Sequence, residues 1–430
     1  MRTLRRALWA GIMLTIGFGS LGGFALRAAA GEAPVVRFWT WWAVEDEDLA
    51  KMSAAIGAEV AYQQLPWGEF LDKLIVSVLG NDSPDLIYID PAWFDAFAEK
   101  GTLTDLGPFI RRDDQRLWRD VFPAGMDLWN IEGRQLAVPN NLSPSFFWYN
   151  ATMLNQLGLA RPTDSFSWQQ WLEYSRKATA DSEGDGLPDQ MGFTPWWWQI
   201  VNLIWSNGAE LFRDGELAHD TPEFREALRF YRQFRELDLI ADWNQLAHKG
   251  FAEHPDLAWS AGLILFAPGG DWIGPVTVRD GASGDWRFEA GVAHEPLSPK
   301  GTRAALLRGN GLGIPVTAKH PELAFALIRY LLSDENQTKI GVEGQMPARR
   351  SIALESYLTP QSEYPYRRET VIASLAYQRG PDKGVNWSQS YERWDSPIKA
   401  QINRYINGEI GLEEAVQQIT LLTPPVMEAR

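Results

Sequence analysis

Residues 35–101 read VVRFWTWWAVEDEDLAKMSAAIGAEVAYQQLPWGEFLDKLIVSVLGNDSPDLIYIDPAWFDAFAEKG, and the spacing of their apolar residues decides the fold class. Val35–Thr40 is a β-branched and aromatic run that predicts a strand. The acids at 45–48 open a helix that Gly57 closes, and residues 59–63 predict a second strand. From Trp67 the apolar residues fall at Trp67, Phe70, Leu71, Leu74, Ile75 and Val78, the period of one helix face, with Gly80 as its cap. A third strand at 85–89 and a helix over 92–100, ended by Gly101, complete a β-α-β-α-β order. Alternation of this kind predicts a parallel, doubly wound α/β sheet. Such sheets bind ligands beyond the carboxyl ends of their strands, which brings forward Trp41, Trp42, Trp67, Asp90 and Trp93.

The full chain of 430 residues is too long for one small module and predicts two lobes. With 45% hydrophobic and 22% charged residues it has the composition of a folded protein. A net charge of −15 opposes binding to nucleic acid and to anionic membranes, so no nucleic-acid partner is expected. The chain has no cysteine, which removes disulfides, thiolate metal sites and cysteine nucleophiles together. Its 21 tryptophans are the compositional anomaly.

Arg2, Arg5 and Arg6 precede an uncharged stretch over 7–26, followed by Arg27 and Ala28, Ala29 and Ala30. This pattern predicts a signal peptide over 1–30, cleaved near Ala30, rather than a permanent anchor, because five glycines interrupt the apolar run. Cleavage would remove four arginines and no acid, leaving 36 basic against 55 acidic residues. No cysteine follows to accept a lipid, so the expected location is the periplasm.

Further along, Ser167 and Gln170 have the spacing of a capping box, and Thr221-Pro222-Glu223 starts another helix. That helix aligns Phe224, Leu228, Tyr231, Phe234 and Leu237 on one predicted core face. Strand-like runs return at 263–266 and 312–316, and Leu323, Leu327, Ile328 and Leu331 predict a last amphipathic helix before a loop with Gly341, Gly344 and Pro347. No internal repeat or low-complexity tract occurs.

Chemical motifs are sparse. A G-x-G-x-x-G match at Gly17, Gly19 and Gly22 lies within the apolar leader and follows no strand, so it is a coincidence. There is no Walker A loop, G-x-S-x-G elbow or H-E-x-x-H, and the five histidines are scattered. No cofactor is required by anything in the sequence. One metal signal stands out: Asp181, Glu183, Asp185 and Asp189 occupy positions 1, 3, 5 and 9 of a calcium-type loop with glycine at 6, although position 12 is Gly192. The loop reads either as a weak structural calcium site or as a polar turn.

The tryptophans cluster at Trp39, Trp41 and Trp42 and again at Trp196, Trp197 and Trp198, while Trp272 follows Gly269-Gly270-Asp271. Consecutive residues of one strand or helix cannot all face a single core. Indole faces suit the C–H patches of sugar rings, and neighbouring carboxylates and amides suit their hydroxyls.

Six segments in this order carry a family likeness: VVRFWTW from Val35, SPDLIYIDPAWFDAFAEKGTLTDL from Ser83, LAVPNNLSPSFFWYNATMLNQLGL from Leu136, SFSWQQWLEYSRKAT from Ser165, GLGIPVTAKHPELAFALIRYLLSDENQ from Gly311, and GQMPARRS from Gly344. Together they resemble family 1 extracellular solute-binding proteins, the sugar-binding components of ABC transporters of which maltose-binding protein is the familiar member. The resemblance implies a two-lobed periplasmic-binding-protein-like fold, each lobe a doubly wound sheet flanked by helices, with ligand in the cleft between them. It places lobe crossings near residues 141, 266 and 311, hence an N-terminal lobe of 31–141 plus 266–310 and a C-terminal lobe of 142–265 plus 311–430. It also implies a monomer that hands its ligand to membrane permease subunits and performs no catalysis.

Carried over by position, the resemblance assigns ligand contacts to Trp39, Trp41, Trp42, Gln64, Trp67, Asp90, Trp93, Asn141, Trp197, Gly270, Trp272, Asn310 and Arg349. One departure is the segment before the last crossing, where a glycine pair is usual and this chain has Arg308-Gly309-Asn310-Gly311. The expected function is a periplasmic carbohydrate receptor. The alternatives are a secreted glycoside hydrolase, which needs two carboxylates flanking the bond at about 5 to 10 Å, or a receptor for a non-sugar solute.

Overall fold

In the computed structural model, strand β1 (Val35–Thr40) opens the first sheet in sequence and lies between two parallel neighbours. The structure describes residues 34–182, 184, 188–194, 196, 198–214, 216–240, 243–251, 255–274, 288–358, 368–380 and 396–422. β1 pairs in parallel with β2 (Glu59–Gln64) on one side and β3 (Leu86–Ile89) on the other. Helix α1 (Asp46–Ile56) carries three acids in its first turn, which complement the helix dipole, and ends at Gly57 in the left-handed region (φ 65°). Helix α2 (Trp67–Leu79) buries Phe70 and Leu74, and α3 (Pro91–Glu99) starts on proline with the Asp90 side chain as its cap. The predicted β-α-β-α-β order is therefore observed.

Beyond β3 the sheet becomes mixed. Gly311–Gly313 runs antiparallel to β3, and Val138–Pro139 runs antiparallel to Gly311–Gly313 at the edge. Glycine suits this position, since a Cβ on Gly313 would come within 2.5 Å of the Ile89 side chain. Both faces of the sheet are covered: Leu86, Tyr88 and Leu312 face one core cluster, and Ile87, Ile89 and Trp93 another. This explains the unbroken apolar run in β3.

The second lobe is built on a sheet in the order Ala290–Ala293, Phe146–Asn150, Ile264–Gly269, Met191–Phe193, antiparallel except for the last pair. Along Phe146–Asn150 the side chains alternate, with Phe147 and Tyr149 in one cluster and Phe146 and Trp148 in the other. The capping box of Ser167 and Gln170 forms, and Thr221 caps the helix Pro222–Glu236, whose Phe224, Leu228, Tyr231 and Phe234 are buried. Leu237, predicted on that core face, is instead the terminating residue and exposed.

A small third sheet joins the lobes. Asn141–Pro144 leads from the first sheet to the second, Ala305–Arg308 leads back, and Met346–Pro347 crosses once more. The pairings correct the expected segment assignment. Residue 266 lies inside the second sheet, bonded on both sides, and the strand leading back is 305–308. Gly311–Gly313 and the helix Pro321–Leu331 then belong to the first lobe, where Leu312, Leu327, Ile328 and Leu331 fill its core. The segment predicted as a loop with Gly341 and Pro347 is a helix, Asp334–Val342, followed by the third crossing.

Candidate functional site

The carboxyl ends of β1, β2 and β3 converge with the crossing strands. Thr40 ends β1, and its side-chain oxygen accepts from the Trp42 N–H at 3.1 Å, folding the chain back over the sheet edge. The Trp42 carbonyl accepts from the Tyr62 hydroxyl at 2.7 Å, and Gln64, which ends β2, donates to the Trp41 carbonyl at 3.1 Å. The Trp41–Trp42 turn is thus held from both neighbouring strands.

A pocket of about 370 Å³ opens at this edge. Phe38, Thr40, Trp42, Tyr88, Asn140 and Asn310 line it, together with Glu45 and Asp48 at the start of α1 and Lys339 and Glu343 at the end of the helix Asp334–Val342. The buried Asn140 amide donates to the Tyr88 hydroxyl at 2.8 Å, while Asn140 Oδ1 has no hydrogen-bond partner among the described residues. The Trp42 indole N–H is likewise buried without a partner. Burial, helped by the nearby Glu343 charge, pushes the Tyr88 phenol far up, so it stays a neutral hydroxyl. Lys339 is held by Asp48. Aromatic faces and unpaired amide and indole groups in a pocket of this size fit a small hydroxylated solute.

The sequence-predicted site residues fall into three groups. Trp42 and Asn310 line the pocket, with Trp41 and Gln64 at the turn beside it. On the second lobe, and not among the residues lining this pocket, Trp272 is partly buried, edge-on to Trp198 at 5.8 Å, next to Gly270, where a Cβ would strike the Trp272 ring at 2.0 Å.

A second group is structural. Trp93 is 5% exposed and stacks on Phe70 at 5.7 Å, and Trp41 packs edge-on against Phe70, Tyr88 and Trp93. Trp39 lies on β1 against the same cluster. Asn141 is buried on the crossing strand, its Oδ1 accepting from the Asn310 N–H at 2.9 Å. Arg349 pairs with Asp120 at 3.0 Å and with Asp334, anchoring the last crossing rather than facing the pocket. Asp90 is also occupied: it caps α3 by accepting from the Ala92 N–H at 2.8 Å and pairs with Arg308 at 3.1 Å.

A third group is only partly described. Trp67 starts α2, and Trp197 lies outside the described residues, between Trp196 and Trp198, whose rings stack at 4.4 Å. Of the calcium-type loop, Glu183 and Asp185 lie outside the described residues. Asp181 accepts from the Gly184 N–H at 2.7 Å, and Asp189 accepts from Ser182 and sits 3.5 Å from Lys249.

Asn140, Tyr88 and Arg308 are the pocket and cleft residues that the sequence reading missed. The one available signal was the charge of Arg308 inside the apolar run ALLRGNG, where the family likeness departs from its usual glycine pair.

The family model for bacterial extracellular solute-binding proteins matches residues 52–338, about two thirds of the chain. The protein belongs to that family. A carbohydrate ABC transporter substrate-binding protein of Streptococcus pneumoniae is 28% identical over 242 residues, covering 52% of this chain and 48% of the relative. Among solved structures, an ABC substrate-binding protein of Listeria monocytogenes in complex with cycloalternan superposes with a TM-score of 0.76 at 20% identity, covering 90% of this chain and 97% of that one. The sugar-binding protein MalE of Xanthomonas citri superposes with a TM-score of 0.68 at 20% identity, over 90% and 96% of the two chains. For this solute-binding protein the likeness supports the two-lobed α/β fold built above. Among the described residues no helix is long and apolar enough to cross a membrane.

Proposed function

We propose that the protein is the carbohydrate receptor of an ABC transporter, binding a sugar or oligosaccharide between its lobes and delivering it to membrane permease subunits. The observation that carries this reading is the pocket at the carboxyl edge of the first sheet, where a buried acceptor, Asn140 Oδ1, and a buried donor, the Trp42 indole N–H, both lack partners. Sugar hydroxyls both donate and accept, so they are the kind of group that can partner an acceptor and a donor side by side, and aromatic rings suit their C–H faces. The sugar ligands named for the similar structures, and the carbohydrate transporter relative, support the same class.

Binding needs no bond to break. The crossing strands pair with one another in one small sheet between the lobes, so bending that sheet changes the opening between the lobes. The hydrolase alternative loses ground because Asp90, the carboxylate expected in the cleft, is held in an ion pair and a helix cap. The reading requires no cofactor, and a calcium ion at residues 181–189 would serve structure alone. It places the mature protein, freed of its leader, in the periplasm as a monomer.

A thermal-shift screen of the purified protein against mono- and oligosaccharides, amino acids and polyamines tests it. A saccharide at 100 times its Kd stabilises by about 2.7 kcal/mol, a shift of a few degrees. Stabilisation by amino acids or polyamines with none from any saccharide would overturn the sugar assignment.

A further inference from the structure

Arg308 is the last residue of the return crossing strand Ala305–Arg308 and is 9% exposed. Its backbone direction is fixed on both sides. It pairs with Ser143 on the first crossing strand, and the next residue, Gly309, takes a φ of 149° where any Cβ would meet the Asn141 carbonyl oxygen at 2.4 Å. The backbone thus fixes where the Arg308 side chain starts, and its contacts decide where the guanidinium rests.

From that position the guanidinium reaches both lobes. Its Nη2 donates to Asp90 Oδ1 at 3.1 Å and lies 3.4 Å from Oδ2, at the capped start of first-lobe helix α3. Its central carbon lies 5.1 Å from the ring of Trp198, the first residue of the second-lobe helix Trp198–Ser206. Trp198 in turn stacks on Trp196 and meets Trp272 edge-on. A planar guanidinium combines in-plane hydrogen bonding with face stacking, which an ammonium does not.

We propose that Arg308 is a positioning residue for the ligand cleft: a single hinge-strand cation that holds the Asp90 carboxylate of one lobe and the Trp198 aromatic group of the other in one arrangement. Opening the cleft separates its two partners and breaks at least one of its contacts. Arg308 thereby sets how far apart the walls stand before any ligand arrives, and the cleft's affinity depends on a residue that need not touch the ligand.

The absence of native cysteines gives a direct test, since two introduced thiols are the only labelling sites. Lys100→Cys on the first lobe and Arg176→Cys on the second, both exposed, carry spin labels for a distance measurement on the full mature chain without ligand. Arg308→Met should shift the distribution to longer and broader distances, Arg308→Lys should lie between it and the parent, and Asp90→Asn, which keeps an acceptor for the Ala92 N–H, should shift it in the same direction. The double variant Asp90→Asn/Arg308→Met should be no more open than Arg308→Met alone. If Arg308→Met fails to fold, Asp90→Asn and Trp198→Leu carry the test. Folded variants whose distances coincide with the parent's, with only melting temperature changed, overturn the proposal and leave Arg308 a stabiliser of the hinge. Because no ligand is used, the result is independent of which solute the protein binds.

Discussion

The carboxylate of Asp90 and the guanidinium of Arg308, 218 residues apart in sequence, form an ion pair at 3.1 Å with both side chains 11% exposed. Each is also committed elsewhere, Asp90 to the α3 cap and Arg308 to the Trp198 face. This changes what a substitution at Asp90 does. Were Asp90 only a sugar acceptor, its loss would weaken binding and leave folding intact.

Asp90→Ala should instead lower the unfolding free energy. Loss of the cap costs about 1 kcal/mol, and leaving a buried Arg308 charge without this partner costs roughly 3 to 5 kcal/mol more. Asp90→Asn should retain most of the cap term. Urea denaturation of the two variants separates the contributions, and a parent-like midpoint for Asp90→Ala would contradict the ion pair's structural role.

Trp93 and Trp42 should behave in opposite ways. Trp93→Ala empties a core position stacked on Phe70, at a cost of roughly 3 to 5 kcal/mol and an early melt. Trp42→Ala, at the pocket wall, should melt close to the parent and lose ligand affinity by about 5- to 150-fold, the equivalent of 1 to 3 kcal/mol. Melting curves and isothermal titration on both proteins, with the sugar found by the thermal-shift screen, check the pair.

Asp271 gives the hinge a pH dependence. It is fully buried and accepts from the Ser143 hydroxyl on the first crossing and the Met346 N–H on the third. Burial pushes its carboxyl up to about 7, against those hydrogen bonds and the Arg368 charge, which act to lower it. A carboxyl with a raised folded pKa keeps its proton in the native state after the unfolded chain has lost it, so this contribution to stability falls as pH rises from about 4 to about 7 and is level above. Glu295, buried and raised to about 7 by the same cause, acts in the same direction. Asp271→Asn should flatten part of the decline in unfolding free energy between pH 4 and 7, and a slope equal to the parent's would show that Asp271 is ionised in the native hinge.

Gly309→Ala should destabilise by on the order of 1 to 3 kcal/mol, because the new Cβ meets backbone, the Asn141 carbonyl, which no side-chain rotation relieves. Gly57→Ala, with nothing within 4 Å and only its left-handed φ at stake, should cost less, about 1 kcal/mol. Chemical denaturation of both variants gives the comparison.

Local signals were enough for what the sequence settled by itself. The β-α-β-α-β start, the caps at Gly57 and Ser167 and the core face of Phe224 to Phe234 depend on residues within a few positions of one another, where period and capping chemistry act directly. The loops at the carboxyl ends of β1 and β2 were readable for the same reason, since a parallel sheet fixes where strand ends gather. Tertiary pairing decided the rest. Whether residues 264–269 or 311–313 join the first or the second sheet depends on partners far away in sequence, as with Phe266 against Tyr149 and Gly311 against Ile89. Both strands read alike, as short apolar runs buried on two sides. Among the tryptophans, the sequence could count the rings but not their directions: Trp93 turns into the core, Trp42 to the pocket, and Trp198 under a cation from a distant crossing strand. An indole is equally suited to each environment, and only the packing of the neighbouring elements selects among them.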